Sequence, residues 1–179
     1  MFLSDSDIRT FIKSGEIVIK PFNEKMLKPA SYTFTLNNIL FKPMSVNEID
    51  ARKDDLEYQK IIIPAKGYVI KPGDFVLGQT RETLSISDKL VCFLEARTSL
   101  ARIGLTVLQG SIFVEPGQED SHETLEIKNI SSNPIRLYPS MKIVKGIFAL
   151  LYSAASQKYA KIGKYARQSN SKAIINEKL

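Results

Sequence analysis

The sequence contains one cysteine, one histidine and no tryptophan. A zinc site built from three or four nitrogen and sulfur ligands therefore cannot be assembled within the chain. At 179 residues the chain can bury a sizeable apolar core, so neither a disulfide nor a structural metal is needed for stability. Cys92 lies in the apolar run 90–94, which suits a buried free thiol and favours a reducing, cytoplasmic location.

Several other signals are missing as well. No apolar run approaches the roughly 18 residues of a membrane span, and the polar, acidic start at residues 4–7 is unlike a signal peptide. We therefore expect neither a membrane protein nor a secreted one. Walker A and Gly-x-Gly-x-x-Gly loops are absent, and so are the His-x-Glu and Pro-Cys-x-x-Cys motifs of zinc nucleobase deaminases. His122 sits among acidic residues and is interpreted as a surface residue, so catalysis must use carboxylates, hydroxyls, arginine and lysine.

Positive charge is in excess and is unevenly placed. The formal net charge is +6, and segment 158–178 carries a cluster of Lys and Arg with Glu177 as its sole acidic residue. No nucleic-acid-binding motif accompanies this basic tail. Its positive charge suits a small polyphosphate ligand as well as it suits a nucleic acid. We expect no nucleic-acid partner. The tail is either solvated or ordered by a ligand or a neighbouring subunit.

The pattern of apolar residues predicts a single, mainly β domain over residues 1–179, with 158–179 as the basic C-terminal tail. Ser4 and Asp7 have the spacing of a helix capping box, and Gly15 should end the short helix that follows. Beyond it, short β-branched and aromatic runs alternate with Pro-Gly, Asn and Asp, which favours a β-sandwich or barrel. A second short helix is predicted at 99–103, and 46–59 should be a surface excursion.

Residues 95–105 place two hydroxyls and two guanidinium groups where a strand meets a short helix. Ser and Thr hydroxyls, helix N-terminal amides and Arg forks are the groups that a phosphate chain needs. These polar side chains could equally cap a helix and form its solvent-exposed surface, with no role in binding. The polar side chains concerned are Arg97, Thr98, Ser99 and Arg102.

This segment resembles the Arg-Ser-Ser-Leu-Ala-Arg-x-Gly-Leu motif of the dCTP deaminases, within the dCTP deaminase and dUTPase superfamily. Further segments resemble that family in the same order along the chain. They are 3–22 (opening helix and first strand), 29–36 (Pro-Ala-Ser strand), 72–84 (Pro-Gly segment), 124–129 (Leu-Glu strand) and 163–168 (Gly-Lys-Tyr tail).

The resemblance implies a distorted β-barrel or jelly roll that assembles as a homotrimer with shared active sites. The implied reaction is zinc-independent hydrolytic deamination of dCTP to dUTP and ammonia, with Mg²⁺ arriving on the substrate triphosphate and dTTP as a candidate feedback inhibitor. Glu126 matches the glutamate that activates water for attack on cytosine C4, and Arg102 and Thr98 match its catalytic neighbours. The substrate-binding assignments are Arg97, Ser99, Ser111, Tyr159, Lys164, Tyr165 and Gln168.

The chain departs from the family pattern at 115–123, where an expected aromatic residue and second glycine are lost and one residue is inserted. Glu115 stands in the register of the water-binding aspartate of dUTPases. Three alternatives therefore stay open: a bifunctional enzyme that yields dUMP, a dUTPase, and a catalytically altered nucleotide-binding or regulatory protein. The register also predicts that Glu123, in the divergent loop 118–123, has no role in turnover.

Overall fold

The computed structural model describes residues 1–44, 46–50, 56–107, 112–166 and 172. Short antiparallel strands dominate these ranges, as the sequence predicts. The helices are α1 (Asp5–Lys13), α2 (Thr98–Ala101) and α3 (Tyr159–Ile162), with a 3₁₀ turn at Glu24–Met26. The strands are β1 (Ile17–Lys20), β2 (Leu27–Lys28), β3 (Ser31–Thr35), β4 (Ile39–Pro43), β5 (Tyr58–Ile62), β6 (Tyr68–Ile70), β7 (Phe75–Ile86), β8 (Leu90–Ala96), β9 (Leu105–Thr106), β10 (Phe113–Val114), β11 (Ser121–Asn129), β12 (Ile135–Leu137) and β13 (Lys142–Leu150).

Helix α1 begins and ends as its sequence predicts. The Asp7 amide donates to Ser4 Oγ at 3.2 Å, and the Ser4 amide donates to the Asp7 carboxylate at 2.9 Å, which closes the capping box. Gly15 follows the helix with φ of 78°, a conformation that a side chain disfavours. Ile8 is fully buried and fixes the helix against the core.

Two main sheets pack face to face. One has the strand order β5-β4-β7-β11-β9, with β1 also on β7, and the other has the order β10-β8-β13-β3-β2. Strands β6 and β12 form a separate pair. Alternate residues of both inner faces are buried in one core, whose largest fully buried side chains include Tyr32, Phe34, Leu84, Leu125 and Phe148. This arrangement confirms the predicted jelly-roll-like β fold.

A buried carboxylate joins the two sheets. Glu82 on β7 is 5% exposed and Thr35 on β3 is 3% exposed. The Thr35 amide and hydroxyl each donate to the Glu82 carboxylate at 2.8 Å. Beside it, Thr80 Oγ1 donates to the Glu82 carbonyl at 2.7 Å, where the register against β11 shifts. The buried carboxyl group is thus held by donors from the opposite sheet.

Some boundaries differ from those predicted. Residues 121–123, expected in a divergent loop, form the start of β11, although His122 is exposed as predicted. Helix α2 begins one residue before the predicted helix, and β5 begins inside the segment expected to be a surface excursion. None of the helices within the described ranges is long and apolar enough to cross a membrane.

We predict that Thr35→Val destabilises the fold, because the substitution keeps the side-chain shape but leaves one buried Glu82 oxygen without its hydroxyl donor. The expected loss is about 1–3 kcal/mol in the free energy of unfolding, measured by chemical denaturation. Thr83→Val is the matched control, since the Thr83 hydroxyl donates to Asp120 at an exposed position. Equal effects of the two variants would show that the buried contact is not special.

Candidate active site

The turn after β8 gathers the hydroxyls and guanidinium groups that the sequence singles out. Arg97 is the N-cap of α2, and its carbonyl accepts the Leu100 and Ala101 amides at 2.9 and 3.0 Å. Leu100 packs against the core, which turns its polar neighbours outward. Thr98, Ser99 and Arg102 are exposed and Arg97 is half-buried. The structure therefore presents all four polar groups from one short turn.

Glu126 lies on β11, whose end pairs with β9, the strand that follows this turn. Leu125 and Ile127 on either side are fully buried, so the alternation of a strand directs Glu126 to the opposite face, where it is half-buried. The end of β11 pairs with β9, which follows α2 directly, with Asn129 opposite Leu105. Glu126 lies three residues before Asn129, about 10 Å along the strand from this pair and on the side away from α2.

The tail folds back onto the segment that precedes β11. The Tyr159 amide donates to the Pro116 carbonyl at 2.9 Å, and the Ala160 amide donates to the Gly117 carbonyl at 3.2 Å. Gly163 lies against the Tyr159 ring so closely that a side chain there would clash with it. Part of the basic tail is thus ordered by contacts within its own chain, whereas the sequence suggested either a solvated tail or one ordered by a ligand or a neighbouring subunit.

Three of the predicted substrate-binding residues come together in this tail. Lys164 Nζ lies 5.9 Å from the centre of the Tyr165 ring. Burial raises the pKa of Tyr159, the Glu123 and Glu115 charges raise it further, and a hydrogen bond from the Tyr165 backbone opposes the rise. Tyr159 is therefore close to two carboxyl groups of the 115–123 segment. Ser111 and Gln168, also assigned to substrate binding, lie outside the described residues.

Glu123, expected in a divergent loop, lies on β11. Its amide donates to Thr80 Oγ1 at 2.9 Å, where the pairing of β7 with β11 is irregular. Part of the residue reaches solvent, but Oε1 is buried and has no hydrogen-bond partner among the described residues. Burial raises the pKa of Glu123 to about 8, so its carboxyl group is mainly protonated at neutral pH. The alternation with Leu125 and Ile127 was the available signal for an inward position.

The charge of Glu123 also acts on Cys92 of the opposite sheet. Cys92 on β8 is fully buried, as its apolar neighbours predicted, and its pKa is raised well above the usual value by burial and then by the Glu123 charge. Two carboxyl groups three residues apart on β11 thus have different surroundings. Glu126 is directed to the outer face, whereas Glu123 extends inward.

We predict that Glu123 makes the stability of the protein fall as the pH rises from about 4.5 to about 8. Its folded-state pKa is raised from 4.5 to about 8, so the folded state holds a proton that the unfolded state has lost. The free energy of unfolding should fall by up to about 1.4 kcal/mol per pH unit relative to Glu123→Gln. Denaturation from pH 4.5 to 8 measures this, and parallel profiles for the two proteins would contradict it.

Comparison with known proteins is consistent with the resemblance seen in the sequence. Residues 2–151 match the family model described as dCTP deaminase-like. The protein named "dCTP deaminase, dUMP-forming" from Beutenbergia cavernae is 37% identical over 163 residues, which cover 89% of this chain and 84% of that protein. The protein of the same name from Persephonella marina is 35% identical over 176 residues, covering 97% and 96%.

A solved structure supports the fold. The crystal structure of 2'-deoxycytidine 5'-triphosphate deaminase from Agrobacterium tumefaciens matches with a TM-score of 0.66 at 15% identity. The match covers 84% of this chain and 48% of the other, so the chain spans about half the length of that protein. At this identity the likeness concerns the fold alone. The family model and the relatives covered over most of their length together show that the chain belongs to the dCTP deaminase family and is an enzyme of that family.

Proposed function

We propose that the enzyme deaminates dCTP and then hydrolyses the triphosphate, so that its end product is dUMP. The observation that supports the proposal is that Glu126 lies on β11, whose end pairs with β9, the strand that follows the turn of Thr98 and Arg102. The sequence by itself favoured dUTP as the product. Both relatives are named as dUMP-forming enzymes, and this name supports the hypothesis of a bifunctional enzyme instead.

In the deamination step, water attacks C4 of the cytosine ring. Glu126 would take a proton from that water and later deliver one to the leaving amine, which departs as ammonia. Arg102 would stabilise negative charge that develops on the ring and orient the water, with the Thr98 hydroxyl as a further hydrogen-bonding group. Water is consumed and no electrons are transferred, so dCTP and water give dUTP and ammonia. A carboxylate and an arginine suffice for these proton transfers, and the proposal is that zinc has no part in them.

In the second step, water would cleave between the α- and β-phosphates and give dUMP and pyrophosphate. Glu115 is the candidate to orient that water. It is exposed beside the Pro116–Gly117 turn on which α3 docks, and it lies close enough to Tyr159 to affect its pKa. Tyr159, Lys164 and Tyr165 would then contact the phosphate chain of Mg²⁺-bound dCTP, with Arg97 and Ser99 approaching it from the α2 turn.

We further propose a cytoplasmic homotrimer with shared active sites and with dTTP as a candidate inhibitor. An exposed aromatic cluster supports subunit contacts, since large exposed apolar patches commonly mark protein interfaces. The rings of Phe2 and Phe113 lie 6.4 and 5.2 Å from that of Phe93, and the two residues are 67% and 41% exposed.

The proposal is tested by incubating the purified protein with dCTP and Mg²⁺ and separating the nucleotides. We expect ammonia, dUMP and pyrophosphate in equal amounts, with little free dUTP. Accumulation of dUTP would restrict the enzyme to deamination. Tight binding of dCTP without turnover would contradict catalysis and favour a nucleotide-sensing protein, the alternative that the altered 118–123 segment keeps open.

We predict that Glu126→Gln lowers deamination by about 10²–10⁴-fold, because glutamine cannot accept the proton of water. Affinity for dCTP should survive, since it rests on the phosphate contacts, and equilibrium binding measures it separately from turnover. Glu123→Gln is the matched control on the same strand and should retain turnover, because its carboxyl group extends inward. Loss of turnover in Glu123→Gln with normal activity in Glu126→Gln would reverse the assignment.

A further inference from the structure

A row of paired residues crosses the sheet that carries Glu126. Glu126 on β11 lies opposite Leu77 on β7, and Leu77 lies opposite Phe41 on β4. Residues directly opposite each other on antiparallel strands point to the same face of a sheet. Phe41, Leu77 and Glu126 therefore share one face, and the backbones of Phe41 and Glu126 are about 10 Å apart, since neighbouring strands lie about 4.8 Å apart.

This face is turned away from the core. The adjacent residues Leu40 and Gly78 point inward, because Leu40 is fully buried and a Cβ atom added to Gly78 would lie 3.2 Å from Leu40 Cδ2 and 2.9 Å from Ile127 Cδ1. Alternation along the strands then directs Phe41 and Leu77 outward. Phe41 and Leu77 are nevertheless only 7% and 6% exposed. Another part of the molecule therefore covers them.

Lys172 of the C-terminal tail supplies part of this cover. Its Nζ atom lies 5.7 Å from the centre of the Phe41 ring and 6.0 Å from the centre of the Tyr58 ring. At about 6 Å or less an ammonium group is attracted to the face of an aromatic ring. Tyr58 on β5 lies opposite Pro43, two residues beyond Phe41, so both rings are on the same face. Lys172 is half-buried, as expected when its aliphatic stem packs on an apolar surface.

We propose that Lys172 is a positioning residue, which holds the C-terminal tail on the face of the candidate base through its contact with Phe41 and Tyr58. The docking of α3 holds the beginning of the same tail. Between these two points lie Lys164 and Tyr165, the proposed phosphate-binding residues. The contact reduces the freedom that the tail loses when a nucleotide binds. This consequence for the nucleotide rests on the proposed function, whereas the contact itself rests on the positions of the three side chains.

The contact is tested without nucleotide, by NMR of protein in which the ε-carbon of lysine is isotopically labelled. Ring faces shield the nuclei above them, so we expect the ε-methylene protons of Lys172 upfield of those of the exposed Lys161. Lys172→Arg removes the signal and thereby assigns it, and Tyr58→Leu should move it toward the Lys161 position. A Lys172 signal that coincides with that of Lys161, or that Tyr58→Leu leaves unmoved, would overturn the contact.

The positioning role is tested by turnover of dCTP. We expect Lys172→Gln to raise KM about two- to fivefold, as for the loss of one cation–π contact, and to leave kcat near its wild-type value, because the residue does not touch the reacting atoms. Lys172→Arg should keep the wild-type KM, since a guanidinium also stacks on aromatic rings. Lys161→Gln is the matched control, because it removes the same charge from an exposed position of the same tail. An unchanged KM in Lys172→Gln, or an equal rise in Lys161→Gln, would overturn the role.

A double-mutant cycle assigns the effect to the ring. If Lys172 acts through Tyr58, the combined Tyr58→Leu and Lys172→Gln variant should have a KM no higher than that of the more affected single variant. Rises in KM that multiply in the combined variant would show that the two side chains act independently and would overturn the assignment.

The two kinds of measurement separate this inference from the proposed function. An upfield Lys172 signal that depends on Tyr58, in a protein that does not turn over dCTP, would uphold the contact and reject the function. Normal formation of dUMP by a protein whose Lys172 signal coincides with that of Lys161 would do the reverse.

Discussion

The hydrogen bonds between Glu82 and Thr35 connect the two sheets, and the positions of the neighbouring strands depend on this contact. A carboxylate removed from water is costly unless donors satisfy it, and here both donors come from one residue of the opposite sheet. The contact therefore holds β3 and β7 in one relative position. Since β7 pairs with β1, β4 and β11, its position sets that of the strand that carries Glu123 and Glu126.

The irregular pairing beside Glu82 explains how one strand can present two carboxyl groups so differently. The Thr80 hydroxyl accepts the Glu123 amide and donates to the Glu82 carbonyl, so it bridges β7 and β11 where their register shifts. Glu123 is then directed inward with a raised pKa, and regular alternation resumes from Thr124 onward. Glu126 is directed to the outer face of the strand.

A small number of residues also fixes the surroundings of the α2 turn. The buried side-chain amide of Asn129, the last residue of β11, forms hydrogen bonds that fix the Ser131–Asn133 loop. Gly104 packs against Ser131, so the turn that carries Arg102 lies beside that loop. On the far side of β11, the Pro116–Gly117 turn receives the tail through two backbone hydrogen bonds. The tail thus docks on the turn that precedes the strand of the candidate base.

The sequence by itself determined the features that depend on neighbouring residues. The capping box of Ser4 and Asp7, the alternation of Leu125, Glu126 and Ile127 and the inventory of one cysteine and one histidine follow directly from local order and count. Ordered motifs also identified the family. The tertiary structure alone decided that the Thr80 hydroxyl bridges β7 and β11 at Glu123, that Thr35 supplies both donors to Glu82 and that Tyr159 docks on Pro116. Each of these depends on strand register and on contacts between segments far apart in the chain, and local patterns carry no record of either.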